Sequence, residues 1–253
     1  MSDLSRSEQE ALARRLEDAG WGVVPPEQHQ AAWDPSFQNF WDQVRDTTLI
    51  SPERGWALAE AVRYVIRNNV PGDVAECGVW RGGACLLASL VMAEEETEPE
   101  RTIWLYDTFT GMTAPGSEDR IASSGQDLAD RNPEGWWAAG VEEVRRTLER
   151  SPLDQRRFRF VPGPVERTLA ETRPERLAVL RLDTDWYEST MAELEQLYPV
   201  LSPGGVLIID DYGHFTGART AVDRYFARRN ESPLLHRSDY TGRVLVKPGN
   251  ASR

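Results

Sequence analysis

From residue 73 onward the chain alternates short apolar runs with helical patterns, and this alternation limits its fold more than any other feature. Runs at 74–77, 102–106, 158–161, 177–182 and 206–209 have the length and the β-branched or aromatic content of strands. Apolar residues at helical spacing follow at 84–95, 136–150, 187–199 and 217–229. Strands separated by helices pair in parallel through right-handed crossovers, so the expected class is α/β with a doubly wound sheet. Two last runs, 234–236 and 244–246, have no helix between them and should form an antiparallel hairpin at the sheet edge.

Ahead of this unit the pattern is helical only. Ser5 can cap a helix over 5–19, whose narrow stripe of Leu12, Ala13 and Leu16 suits a surface appendage. Phe37, Phe40, Trp41 and Val44 have helical spacing, and Ser51-Pro52-Glu53 opens a longer helix through Asn69. The expected organisation is an N-terminal helical extension or lid over 1–70 and a catalytic α/β domain over 71–253. The stretch 112–135 is too long and polar for a plain connection and reads as a lid or binding loop.

Composition excludes several classes. Lys plus Arg total 29 against 41 for Asp plus Glu, a net charge of −12. A phosphate-binding surface needs the opposite balance, so a nucleic-acid partner is not expected. The two cysteines, Cys77 and Cys85, fit a reducing compartment, and neither a basic-then-apolar leader nor a run of roughly 18 apolar residues is present. A cytoplasmic protein is the expectation.

Acidic residues mark the ends of the strand-like runs, where open α/β sheets bind ligands. In Glu76-Cys77-Gly78-Val79-Trp80-Arg81-Gly82-Gly83 a strand passes into glycines ahead of a helix, letting backbone approach a ligand. Taken alone this is equally a glycine-rich surface turn. Asp107 closes the next run, at the position where a carboxylate can accept from both hydroxyls of a ribose. A nucleoside-type cofactor fits better than a dinucleotide, because Glu76 suits an ammonium-bearing ligand and would repel pyrophosphate.

Asp183-Thr184-Asp185 and Asp210-Asp211 lie just beyond the fourth and fifth runs. Four carboxylates at one sheet edge repel each other unless a cation or shared protons intervene, and oxygen-only donors select a hard ion such as Mg²⁺. Such an ion would lower the pKa of a substrate hydroxyl while a carboxylate outside its shell, Asp185 by position, takes the proton. His214 is a weaker competitor for that role.

The strings 72–83, Leu105-Tyr106-Asp107-Thr108-Phe109, Asp183-Thr184-Asp185-Trp186-Tyr187-Glu188-Ser189-Thr190 and Asp210-Asp211-Tyr212 together resemble the macrocin O-methyltransferase (TylF) family, from about Thr47 to about Phe226. The resemblance implies a class I S-adenosylmethionine-dependent methyltransferase fold, a Rossmann-like seven-stranded sheet with an antiparallel last strand. It implies Mg²⁺-dependent methylation of a deoxysugar hydroxyl on a glycosylated natural product, as in antibiotic biosynthesis. By the same resemblance Asp183, Asp210 and Asp211 match metal ligands, and Asp185 the general base. Thr48, Glu76, Gly78, Arg81, Gly82, Gly83, Asp107, Gly163 and Thr168 match cofactor-binding positions. At Gly163-Pro164-Val165 the aromatic usual after the glycine is missing. A homo-oligomer is also implied.

Other readings differ at identifiable residues. A nucleotide-sugar dehydrogenase or epimerase calls for GxGxxG and a Tyr-x-x-x-Lys motif, but the single lysine is Lys247. A catechol-type O-methyltransferase would share the metal site but usually has a lysine near the base, where this chain has Trp186-Tyr187-Glu188. A non-catalytic S-adenosylmethionine-binding module would have no reason to keep four crowded carboxylates. Trp33, Phe37, Phe40, Trp41, Trp136 and Trp137 are candidates for stacking on a sugar or aglycone, some of them being core or interface packing instead.

Overall fold

The computed structural model describes residues 4–23, 34–95, 101–128, 131 and 133–249. Trp33 and Asn132 lie outside them. The chain divides into two compact units, residues 1–38 and 39–253. In the first, α1 (Arg6–Asp18) starts where Ser5 N–H donates to the Glu8 carboxylate at 2.8 Å, and none of its residues is buried. The next helix, α2 (Pro35–Val44), is followed by α3 (Pro52–Arg67). Ser51 caps α3 through the Arg54 N–H at 3.2 Å, with Pro52 at the first helical position. Helix α3 packs on the helix that follows β1 and on the sheet.

The α/β unit continues as β1 (Asp73–Cys77), α4 (Gly83–Glu95), β2 (Ile103–Asp107), α5 (Val141–Leu148), β3 (Phe158–Pro162), α6 (Val165–Glu171) and β4 (Leu177–Leu182). It ends with α7 (Tyr187–Leu197), β5 (Leu201–Ile209), α8 (Thr216–Arg228), β6 (His236–Arg237) and β7 (Arg243–Val246). The seven strands run in the order β3-β2-β1-β4-β5-β7-β6. All neighbours from β3 to β5 are parallel, and β7 is antiparallel to both β5 and β6. The expected hairpin is thus present, but with its second strand inserted next to β5 and the two-residue β6 left as the edge. Every residue of β4 is buried, as expected for a parallel strand covered on both faces.

Register positions the site. Cys77 pairs with Tyr106 on one side and Leu182 on the other, Leu182 pairs with Ile209, and Asp107 pairs with Pro162. Gly78, Asp107, Asp183 and Asp210 therefore leave the sheet side by side. The backbone bonds Gly78 N–H to Tyr106 O (2.8 Å), Asp183 N–H to Cys77 O (2.8 Å) and Asp210 N–H to Leu182 O (2.9 Å) fix that row. The chain order reverses between β1 and β4, so the row spans the point where open α/β sheets form a ligand crevice.

Candidate active site

Above the row lies a cavity of about 270 Å³, lined by Gly78, Trp80, Asp107, Gly163, Glu166, Asp183, Asp185, Asp210 and Asp211 among others. Gly78 has φ +83, and a Cβ there would overlap the Asp183 carbonyl oxygen, so only glycine lets β1 and β4 meet this closely. Left-handed backbone at residues other than glycine concentrates here: Trp80, Trp137 and Asp185 line the cavity and Phe109 lies two residues beyond Asp107. Such conformations cost roughly 1–3 kcal/mol each and persist where surrounding packing enforces them, commonly at functional sites.

Asp183, Asp185 and Asp211 each bring a carboxylate oxygen within 4.8 Å of the other two. The three carboxyls are buried together, with Asp211 interacting with both Asp183 and Asp185. Burial, with the neighbouring carboxylates, pushes Asp183 and Asp211 well above the ordinary range and Asp185 up to about 8. Asp210 lies apart from this trio. Its Oδ1 accepts from Arg181 at 2.6 Å and its Oδ2 from Arg54.

Arg181 is the buried hub of the site. Its guanidinium also pairs with Glu76 and, at 2.8 Å, with Asp183. Register explains the contact, because Glu76 and Arg181 are direct partners across β1 and β4. The cation facing Glu76 is thus the chain's own Arg181, while Cys85 Sγ donates to the other Glu76 oxygen at 2.6 Å. Burial still raises Glu76 above the ordinary carboxylate range.

Of the positions matched to cofactor binding, Gly78, Asp107 and Gly163 line the cavity; Thr48, Glu76, Arg81, Gly82, Gly83 and Thr168 do not. Asp107 Oδ2 accepts from the Val79 and Trp80 amides at 2.7 and 3.1 Å, and Oδ1 from Phe109 N–H at 2.7 Å, tying the glycine turn to β2. Gly83 packs against the Thr47–Thr48 backbone and Gly82 against Val144. Thr168 is buried beneath Gly163, and Arg81 points to Glu143 at 2.9 Å with its guanidinium over Trp80.

The 112–135 stretch is held in place across its described residues. Buried Asp119 accepts from Tyr187 N–H at 2.8 Å and Gly116 N–H at 2.7 Å, and Ile121 bridges Phe215. Met112 exchanges two backbone bonds with Gly135 and Trp136, both 2.9 Å, which bring Trp136 and Trp137 to the cavity rim half-exposed. Phe37 and Trp41 are buried. His214 lines the cavity 3.3 Å from the Tyr240 hydroxyl, its pKa lowered by burial and Arg54.

Sequence reasoning missed Arg54, Arg181, Glu166 and Asp119. Arg181 had a signal, a single charge inside the otherwise apolar run 177–182. Arg54 had none, since 156 residues separate it from Asp210.

A family model described as Macrocin-O-methyltransferase (TylF) matches residues 38–247. The demethyldecarbamoylnovobiocin O-methyltransferase of Streptomyces niveus is 40% identical over 181 residues, 72% of this chain and 68% of that protein. The mycinamicin III 3''-O-methyltransferase of Micromonospora griseorubida is 37% identical over 195 residues, 77% and 76% of the two chains. The solved structure of the O-methyltransferase NovP superposes with TM-score 0.71 at 37% identity, covering 80% of this chain and 83% of that one. CalS11, a calicheamicin methyltransferase, shares the fold at TM-score 0.60 and 19% identity, covering 90% and 95% of the two chains. The chain belongs to the macrocin O-methyltransferase family and is an S-adenosylmethionine-dependent O-methyltransferase with a class I fold.

Proposed function

We propose that the protein uses a divalent cation, Mg²⁺ by chemistry, to methylate a deoxysugar hydroxyl of a glycosylated natural product. The observation that carries this is the Asp183, Asp185 and Asp211 cluster on the cavity floor, with Asp210 beside it. The donor set fits a hard ion: all its donors are oxygen, and the three carboxylates crowd within 4.8 Å of one another. Relatives named for action at 3'' and 4' positions, one on a rhamnosyl group, support a sugar as acceptor.

Asp183, Asp210 and Asp211 would hold the cation, which supplies Lewis acidity toward a substrate hydroxyl. Asp210 enters this set only after giving up one guanidinium contact. S-adenosylmethionine would supply the methyl electrophile, and Asp107, Gly78 and Gly163, which line the cavity, would hold it. Asp185 receives the proton. Its burial keeps its affinity for a proton high, and its left-handed backbone, followed by Trp186 anchored through Nε1–H to Thr113 O at 2.9 Å, fixes its direction. A divalent charge held beside Asp185 would lower its pKa. The remaining contribution is positioning of hydroxyl and methyl carbon in line.

Leu49 and Ile50, from the segment expected to act as a lid, line the cavity. The reading includes a homo-oligomer, with exposed Leu12, Leu16 and Trp21 as apolar surface for a second copy. Light scattering that shows a monomer at all concentrations removes that part. It also includes a cytoplasmic location and no nucleic-acid or membrane partner; among the described residues no helix is long and apolar enough to cross a membrane.

Calorimetric titration with S-adenosylhomocysteine, with and without Mg²⁺ and with NAD as control, tests the cofactor half. Binding of the first and none of NAD is expected. No binding by folded protein would contradict the cofactor assignment.

A further inference from the structure

Asp210 has both carboxylate oxygens engaged by guanidinium groups, and the two arginines differ in kind. Arg181 is 3% exposed, held on three carboxylates and locked in β4. Arg54 is 13% exposed, lies on the first turn of α3, lines the cavity, and has a second seat already in contact: its Nε is 3.1 Å from Asp239 Oδ2. That seat is built independently of Arg54. Asp239 Oδ1 accepts from the Thr241 and Gly242 amides at 2.9 and 2.7 Å, and Oδ2 accepts from Ser51 Oγ–H at 2.8 Å. Burial alone would lower the Arg54 pKa, but Asp210, Asp183, Asp211 and Asp239 together hold it up, so the group stays a cation.

The proposed metal set takes an oxygen of Asp210. Oδ1 faces Arg181, which three carboxylates hold; Oδ2 faces the more exposed Arg54. We propose that Arg54 is the resident cation of the carboxylate cluster, holding Asp210 in the metal-free protein and withdrawing to Asp239 when a divalent ion enters. This rests on the divalent-cation reading above. Ser51, which caps α3 and bonds Asp239, directly follows Leu49 and Ile50 at the cavity wall.

The test is Mn²⁺ binding to the full chain without cofactor, with free Mn²⁺ counted by electron paramagnetic resonance. Arg54→Met is expected to bind Mn²⁺ about tenfold more tightly than wild type, the equivalent of one charge-assisted hydrogen bond no longer broken. In that variant added N-ethylguanidinium should compete with Mn²⁺, whereas tetramethylammonium at equal ionic strength should not. Asp239→Asn, which weakens the alternative seat, should lower Mn²⁺ affinity. Unchanged or weaker binding by folded Arg54→Met overturns the proposal, as does competition by both cations alike. If Arg54→Met fails to fold, unchanged affinity in Asp239→Asn overturns it. Absence of Mn²⁺ binding in wild type and all variants overturns the divalent-cation reading itself, and this proposal with it.

Discussion

Replacing Asp185 by Asn should make the metal-free protein less sensitive to rising pH, by an amount the site geometry sets. Burial, outweighing the Asp211 hydrogen bond, pushes the Asp185 carboxyl up to about 8, against an ordinary value of 3.8. A raised acid pKa stabilises the fold fully below the unfolded value and loses that contribution as pH climbs toward the folded one. Between pH 5 and 7 the group is protonated when folded and ionised when unfolded, so the interval costs about 3 kcal/mol. For a chain of this length that is a midpoint shift of roughly 5–10 °C. Asn retains a neutral, hydrogen-bonding side chain of the same shape and does not titrate. Urea unfolding in EDTA at pH 5 and 7 should show the stability difference between Asp185→Asn and wild type moving by about 3 kcal/mol in favour of the variant. A difference that stays constant across the interval refutes the argument that Asp185 is buried in protonated form.

Other expectations follow from the same geometry. Gly78→Ala forces a Cβ into the Asp183 carbonyl at φ +83 and should cost about 3 kcal/mol or more in denaturant unfolding; a loss under 1 kcal/mol by that measure would show the β1–β4 contact to be slack. Asp107→Asn should weaken S-adenosylhomocysteine binding about tenfold by calorimetry, since it halves the acceptor capacity at the cofactor end of the row; unchanged affinity would remove the ribose role. Trp136→Ala and Trp137→Ala should raise KM for the acceptor several-fold with little change in kcat, because the rings meet bound substrate and transition state alike. An effect confined to kcat would contradict this.

Much of this site was legible because it lies where strands end. The strand-like runs at 74–77, 177–182 and 206–209 end at the glycine turn, Asp183 and Asp210, and parallel register then brings those ends together. Helix 136–150 was overextended: Gly140 caps α5, and residues 136–139 turn instead to present the tryptophans at the cavity. Helix α6 was not foreseen, since its seven residues are shorter than two helical periods. What the sequence could not show were contacts made across the fold. Arg54 reaching Asp210, Asp119 anchoring the α7 start, and Ser189 Oγ–H bonding Glu166 at 2.6 Å all join segments with no local signal. The spacing of the four aspartates pointed to convergence but not to its division, with Asp183, Asp185 and Asp211 clustered and Asp210 held by guanidinium.

The most direct test of the account is transfer of a deuterated methyl group from labelled S-adenosylmethionine to a panel of deoxysugar-bearing metabolites, with Mg²⁺ or with EDTA, read by mass spectrometry. The account predicts label on a sugar hydroxyl in Mg²⁺, its loss in EDTA and its recovery when Mg²⁺ is restored. Label transferred equally well in EDTA, or placed on an aglycone phenol with the sugars untouched, would contradict it.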